Sequence, residues 1–135
     1  MVDVAHPNGS QRIRILLAED YFAIADVYGA LLAGLGFEVV GPVSSVDRAL
    51  GVLDTDRVDG AVLDVALRGR IVTPVAERLQ EMGRPFVFLT GMADLDLLPA
   101  RFGGVPTVEK PAGVMELAGA LDQVGLVGSR PDDDR

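Results

Sequence analysis

The sequence predicts an α/β domain: a doubly wound, five-stranded parallel sheet with helices on both faces. Three observations carry that prediction. Short apolar runs alternate with segments of helical period between residues 12 and 127. The runs are apolar throughout, as strands covered on both faces are, instead of alternating apolar with polar. The chain has 135 residues, 49% of them hydrophobic, which suits one domain with a buried core.

Ile13–Ala18, broken only by Arg14, is the first expected strand. Ile24, Val27, Tyr28, Leu31, Leu32 and Leu35 then fall on one helical face, and Gly36 supplies a left-handed stop. Phe37–Val40 is the second strand. Ser44 with Asp47 has capping-box spacing ahead of a helix carrying Val46, Ala49, Leu50 and Leu53. Ala61–Val65 is the third strand, interrupted by Asp64. Thr73-Pro74 marks a helix start, followed by Val75, Ala76, Leu79 and Met82, with Gly83 as its end. Phe86–Thr90 is the fourth strand and Val105–Val108 the fifth. Pro111 opens a last helix facing Val114, Leu117, Ala118, Leu121 and Val124 inward. The segment 92–104 is apolar, but Pro99 and Gly103-Gly104 argue against a regular helix there. Residues 1–11 and 128–135 read as tails around a domain at 12–127; the second ends in Pro131 and three acids.

Composition excludes several functions. A net charge of −8 and a pI near 4.5 disfavour nucleic acid and anionic membrane as partners. With no cysteine there is no disulfide framework or thiolate chemistry. The single histidine, His6, lies in the polar N-terminal stretch, so a histidine-based catalytic site in the domain is not expected. No apolar run is long enough to span a bilayer, and the signal-peptide pattern is missing, so a cytoplasmic location is expected.

In doubly wound sheets the ligand site lies beyond the carboxyl ends of the strands. Those ends carry Glu19-Asp20 on the first strand, Asp64 on the third and Thr90 on the fourth, with Lys110 just after the fifth. Each alone is unremarkable: an acid caps a following helix, a lysine is solvated. Asp64 is the exception, because a carboxylate directly after Ala61-Val62-Leu63 needs a partner. Together, three carboxylates and one lysine leave a local charge of about −2, which a hard divalent cation such as Mg²⁺ offsets. A carboxylate beside such a cation is a known nucleophile toward phosphoryl groups, and Lys110 with the Thr90 hydroxyl suits the phosphoryl oxygens.

The pieces "LLAED", "AVLDVALRG", "FVFLTG" and "VEKP", in this order and spacing, resemble the receiver domain of two-component response regulators (CheY-like) over residues 12–127. The resemblance implies the flavodoxin-like strand order 2-1-3-4-5. It implies that Asp64 is the phosphoacceptor and that Glu19 and Asp20 form the acidic pair, Asp20 being the more direct Mg²⁺ ligand. The main-chain carbonyl of Ala66 is then a further ligand beside Asp64, Thr90 the switch hydroxyl, Lys110 the phosphate-contacting lysine, and Lys110-Pro111 a cis peptide. The implied partners are a histidine kinase or histidine phosphotransfer protein, with a possible downstream protein target. The implied chemistry is limited to Mg²⁺-dependent self-phosphorylation and self-dephosphorylation, so no separate enzyme activity is expected.

"PFVFLTGM" at 85–92 further resembles the FATGUY subfamily, stand-alone receivers of alphaproteobacterial stress signalling. Phe88, Thr90 and Gly91 match; Leu89 stands where that motif has Ala, and Ala93 where it has Tyr. Many receivers carry an aromatic residue three positions before the lysine; here it is Thr107. The alternative from another class is a pseudo-receiver, a phosphorylation-independent binding module, which predicts a broken acidic pair, Asp or Lys; all are intact. A haloacid-dehalogenase-type hydrolase needs Asp-x-Asp, but Ala66 stands in the second position. A flavin carrier needs a phosphate loop where Glu19-Asp20 stand.

Overall fold

Burial on both sides organises the computed structural model, which describes residues 12–129. Its elements are β1 (Arg14–Ala18), α1 (Phe22–Gly34), β2 (Glu38–Val43), α2 (Val46–Thr55), β3 (Gly60–Asp64), β4 (Ala66–Leu67), β5 (Arg70–Ile71), α3 (Thr73–Glu81), β6 (Phe86–Thr90), β7 (Thr107–Glu109) and α4 (Val114–Gln123). Two 3₁₀ turns, Met92–Leu97 and Ala100–Phe102, lie between β6 and β7. The main sheet runs β2-β1-β3-β6-β7, with every neighbouring pair parallel. This is the expected order of the five long strands, and the α/β, flavodoxin-like class is as the sequence predicts.

Successive side chains of a strand point to opposite faces, so each central strand feeds two cores. Leu16, Ala18, Ala61, Leu63, Phe86 and Phe88 pack against Ala49 and Leu53 of α2 and Ala76 and Leu79 of α3. Ile15, Leu17, Val62, Val87 and Leu89 pack against Tyr28 and Leu32 of α1 and Leu117 and Leu121 of α4. That division explains why the runs read as continuously apolar. The turns of 92–104 are held to the first core by Phe102. Its ring meets Phe88 and Phe86 edge-on, with centroids 5.9 and 6.4 Å apart, a geometry that aromatic quadrupoles favour.

Several expectations shift. Val27 is 56% exposed, and α1 buries Ala25, Tyr28 and Leu32 instead; the stripe is turned by one position. The cap of α2 is Ser45, not Ser44: its Oγ accepts the amide of Arg48 at 3.1 Å. In α3 the helix begins at Thr73 itself, with Pro74 inside the first turn. α4 begins three residues after Pro111, at the point where Glu116 Oε1 accepts the Gly113 amide at 3.0 Å. Val114 there is exposed, and Ala120 joins the core. The second strand runs on to Val43 through a cis Gly41-Pro42 bond. Gly41 has φ +100°, and a Cβ on it would lie 2.8 Å from the Val43 amide nitrogen, so only glycine fits. β3 is shifted to Gly60–Asp64 and β7 to Thr107–Glu109. The β4–β5 ladder, antiparallel and two pairs long, is not anticipated by any sequence period. Gly36 and Gly83 do end helices with φ of +96° and +70°.

Gly128 and Ser129 lie against Leu35 and Gly36, close enough that a Cβ on either glycine would overlap backbone. The remaining tail expectations, 1–11 with His6 and 130–135, lie outside the described residues.

Candidate phosphoacceptor site

Each strand that bears a functional residue ends at the same rim of the sheet. β1 ends at Ala18 and delivers Glu19 and Asp20. β3 ends on Asp64 and β6 on Thr90. β7 is followed by Lys110, whose amide is tied to the Thr90 carbonyl at 2.8 Å. Parallel pairing in register brings these ends level, because Ala18 pairs with Leu63 and Asp64 with Leu89.

The side chains converge. Lys110 Nζ donates to Glu19 Oε1 at 3.0 Å and to Asp64 Oδ2 at 3.1 Å. Glu19 and Asp64 are 2% and 4% exposed. Glu19 Oε2 accepts the Tyr21 amide at 3.1 Å. Asp20, more open to solvent, accepts the Arg68 amide at Oδ2, 2.8 Å away. Asp64 Oδ1 is buried without a hydrogen-bond partner. A desolvated carboxylate oxygen left without a donor is costly, so this atom marks a position suited to a ligand. Thr90 is buried as well, but its hydroxyl donates to its neighbour Gly91's carbonyl at 2.7 Å. Ala66 opens β4, two residues past Asp64. The Lys110-Pro111 peptide is cis, as the resemblance implies.

Electrostatics follow from this packing. Burial pushes the Asp64 carboxyl up to about 7; the charge of Glu19 adds to the rise and Lys110 opposes it. For Lys110, burial acts to lower the pKa. Its hydrogen bond to Glu19, with the charge and hydrogen bond of Asp64, outweighs that and holds the ammonium above its ordinary value. Lys110 is thus a fixed cation bridging two buried acids.

The donor set fits a hard divalent cation. Glu19, Asp20 and Asp64 each offer a carboxylate oxygen, and these oxygens lie within 4.8 Å of one another. All three are oxygen donors of the kind Mg²⁺ takes, and the unpartnered Asp64 Oδ1 leaves coordination capacity.

The sequence singled out every side chain of this cluster. It missed the main-chain groups: the amides of Tyr21 and Arg68 and the carbonyl of Gly91. A backbone group carries no residue-type signal. The only available hint was Gly69, which flags a turn beside Arg68.

Sheet order and strand-end cluster together define a receiver of the CheY-like class. The solved structure of SdrG from Sphingomonas melonis Fr1 is 39% identical, with a TM-score of 0.76 over 83% of this chain and 95% of that one. The BeF3-activated conformation of SdrG from Pseudomonas melonis Fr1 is 40% identical, with a TM-score of 0.69 over 81% and 92%. A CheY-like response regulator receiver domain from Methylobacillus flagellatus is 26% identical, with a TM-score of 0.67 over 83% and 98%. No protein-family model matches the chain, and no match was found among curated proteins. The chain belongs to the response regulator receiver family. Among the described residues no helix is long and apolar enough to cross a membrane.

Proposed function

We propose that the protein is the phosphoacceptor of a two-component phosphorelay, taking a phosphoryl group on Asp64 from a histidine kinase or histidine phosphotransfer protein. The observation that carries this reading is the buried, unpartnered Oδ1 of Asp64, whose other oxygen is held by the Lys110 ammonium that also binds Glu19. In the reaction an Asp64 oxygen attacks phosphorus in line, the phosphorus–nitrogen bond of the donor phosphohistidine breaks, and the imidazole leaves with the bonding pair. Asp64 reacts as the carboxylate. Lys110 stays protonated and turns from the Asp64 oxygen to the phosphoryl oxygens. Glu19, Asp20 and Asp64, with the Ala66 carbonyl, would hold Mg²⁺, which when bound neutralises charge on the phosphoryl oxygens. Thr90 gives up Gly91's carbonyl and donates to the phosphoryl group instead, which draws Gly91 and the 92–104 turns with it. Thr107 has no ring to bury, so reordering of 92–104 is the output. The resemblance to the FATGUY motif supports a place in stress signalling, and the net charge of −8 favours a protein target over nucleic acid.

The test is intact-mass measurement after incubation with a small phosphodonor and Mg²⁺. Wild type gains one phosphoryl group and Asp64→Asn gains none while keeping its fold. Full phosphorylation of Asp64→Asn would falsify the assignment.

A further inference from the structure

Asp20 is the most open of the three carboxylates, yet one of its oxygens is tied to a residue 48 positions away, the amide of Arg68 at 2.8 Å. Arg68 and Gly69 form the two-residue loop between β4 and β5, with Leu67 paired to Arg70. Both have positive φ, 50° and 80°, the combination of type I′ loops, which favour Asn-Gly. A non-glycine residue there costs roughly 1 kcal/mol or more, and arginine lacks the short polar side chain that relieves it. The arginine side chain does not explain the choice either. Its guanidinium makes no hydrogen bond or ion pair with any described residue, whereas that of Arg70 pairs with Asp47. What the conformation delivers is the main-chain N–H, aimed at Asp20. The same short hairpin carries Ala66, paired with Ile71 at its base.

We infer that the Arg68-Gly69 turn is the positioning element for Asp20 and thereby sets the divalent-cation affinity of the site. This rests on the metal reading given above. With one oxygen held by a main-chain donor, the Asp20 carboxylate presents its remaining lone pairs in one orientation, and the ordering penalty of binding is met in advance. The turn also fixes the hairpin from which the Ala66 carbonyl projects. Two proposed ligands from different segments are therefore set by one loop.

Position 69 isolates the effect, because a Cβ there meets no atom within 4 Å and only the φ requirement opposes it. Gly69→Val cannot hold φ near +80°, whereas Gly69→Asn tolerates the left-handed region. The experiment is a titration with Mg²⁺ alone, read by amide NMR shifts at Asp20 and Arg68, with Val87 as a core reference. Gly69→Val is expected to bind about tenfold more weakly, the scale of a lost orienting partner, with Val87 unmoved. Gly69→Asn restores wild-type affinity, and Arg68→Asn, which keeps the amide and removes a cation, binds at least as tightly as wild type. Wild-type affinity in Gly69→Val overturns the inference and leaves the metal reading standing. So does weakening in Gly69→Asn equal to that in Gly69→Val, or a tenfold loss in Arg68→Asn. Failure of the wild type to bind Mg²⁺ at all overturns both.

Discussion

Neutralising Asp64 should stabilise the metal-free protein. The carboxyl is lifted from 3.8 to about 7, first by burial and then by Glu19. A folded-state pKa raised above the unfolded value means that the stability associated with the protonated form is fully present below about pH 4. It is lost as pH rises from there through about 7. A shift of roughly three units at 1.36 kcal/mol each gives a penalty of about 4 kcal/mol on the alkaline side. Asp64→Asn has nearly the same shape and never carries the charge. In that variant Lys110 loses the charge of one partner, whose amide oxygen still accepts, and keeps Glu19 at 3.0 Å, so the expected gain is about 2–4 kcal/mol at pH 8, shrinking to under about 1 kcal/mol near pH 4. The assay is denaturant unfolding of both proteins in a metal chelator across that range; every other titrating group is common to the two, so the difference isolates Asp64. Mg²⁺ should then narrow or reverse the gap, since it binds the folded wild type more tightly than the variant. If Asp64→Asn is the less stable protein at pH 8 without metal, the Lys110 ion pair outweighs desolvation and the reasoning is wrong.

Two further outcomes follow from the same geometry. Asp20→Ala should weaken Mg²⁺ at least about tenfold and more than Glu19→Ala does, because Glu19 is already engaged by Lys110 and the Tyr21 amide; equal affinity in wild type and Asp20→Ala, by calorimetric titration, would count decisively against a metal role for the acidic pair. Amide exchange across 92–104 should be fast at rest, where short 3₁₀ turns, the packing of Leu98 and Phe102 and an exposed Arg101–Glu77 ion pair hold it, and slow with a phosphoryl mimic plus Mg²⁺. Thr90→Ala should accept the phosphoryl group but lose most of that slowing; an unchanged response would remove Thr90 from the switch.

Much of the site was legible because its side chains are chemically distinctive and stand at the ends of apolar runs. Glu19, Asp20, Asp64, Thr90 and Lys110 were picked out in linear order, and the structure brings them to one rim. The strands themselves were legible because burial on both faces leaves a local trace, a run without polar residues. Placement of helix ends was weaker. The Ser45 cap and the start of α4 depend on single hydrogen bonds, to the Arg48 amide and from Gly113 to Glu116, and neighbouring serines or a nearby proline mimic the same pattern. Val27 fell outside the core because the rotation of a helix is chosen by what it packs against, not by its own spacing.

Sequence alone therefore determined the fold class and which side chains stand at the strand ends, both of which reside in residue type and short-range period. Tertiary structure decided which groups touch. It made Lys110 a bridge between Glu19 and Asp64, buried Asp64 Oδ1 without a donor, and turned a two-residue loop 48 positions downstream onto Asp20. Those outcomes depend on desolvation and on main-chain donors brought from distant segments. Both arise only when the chain has closed around them.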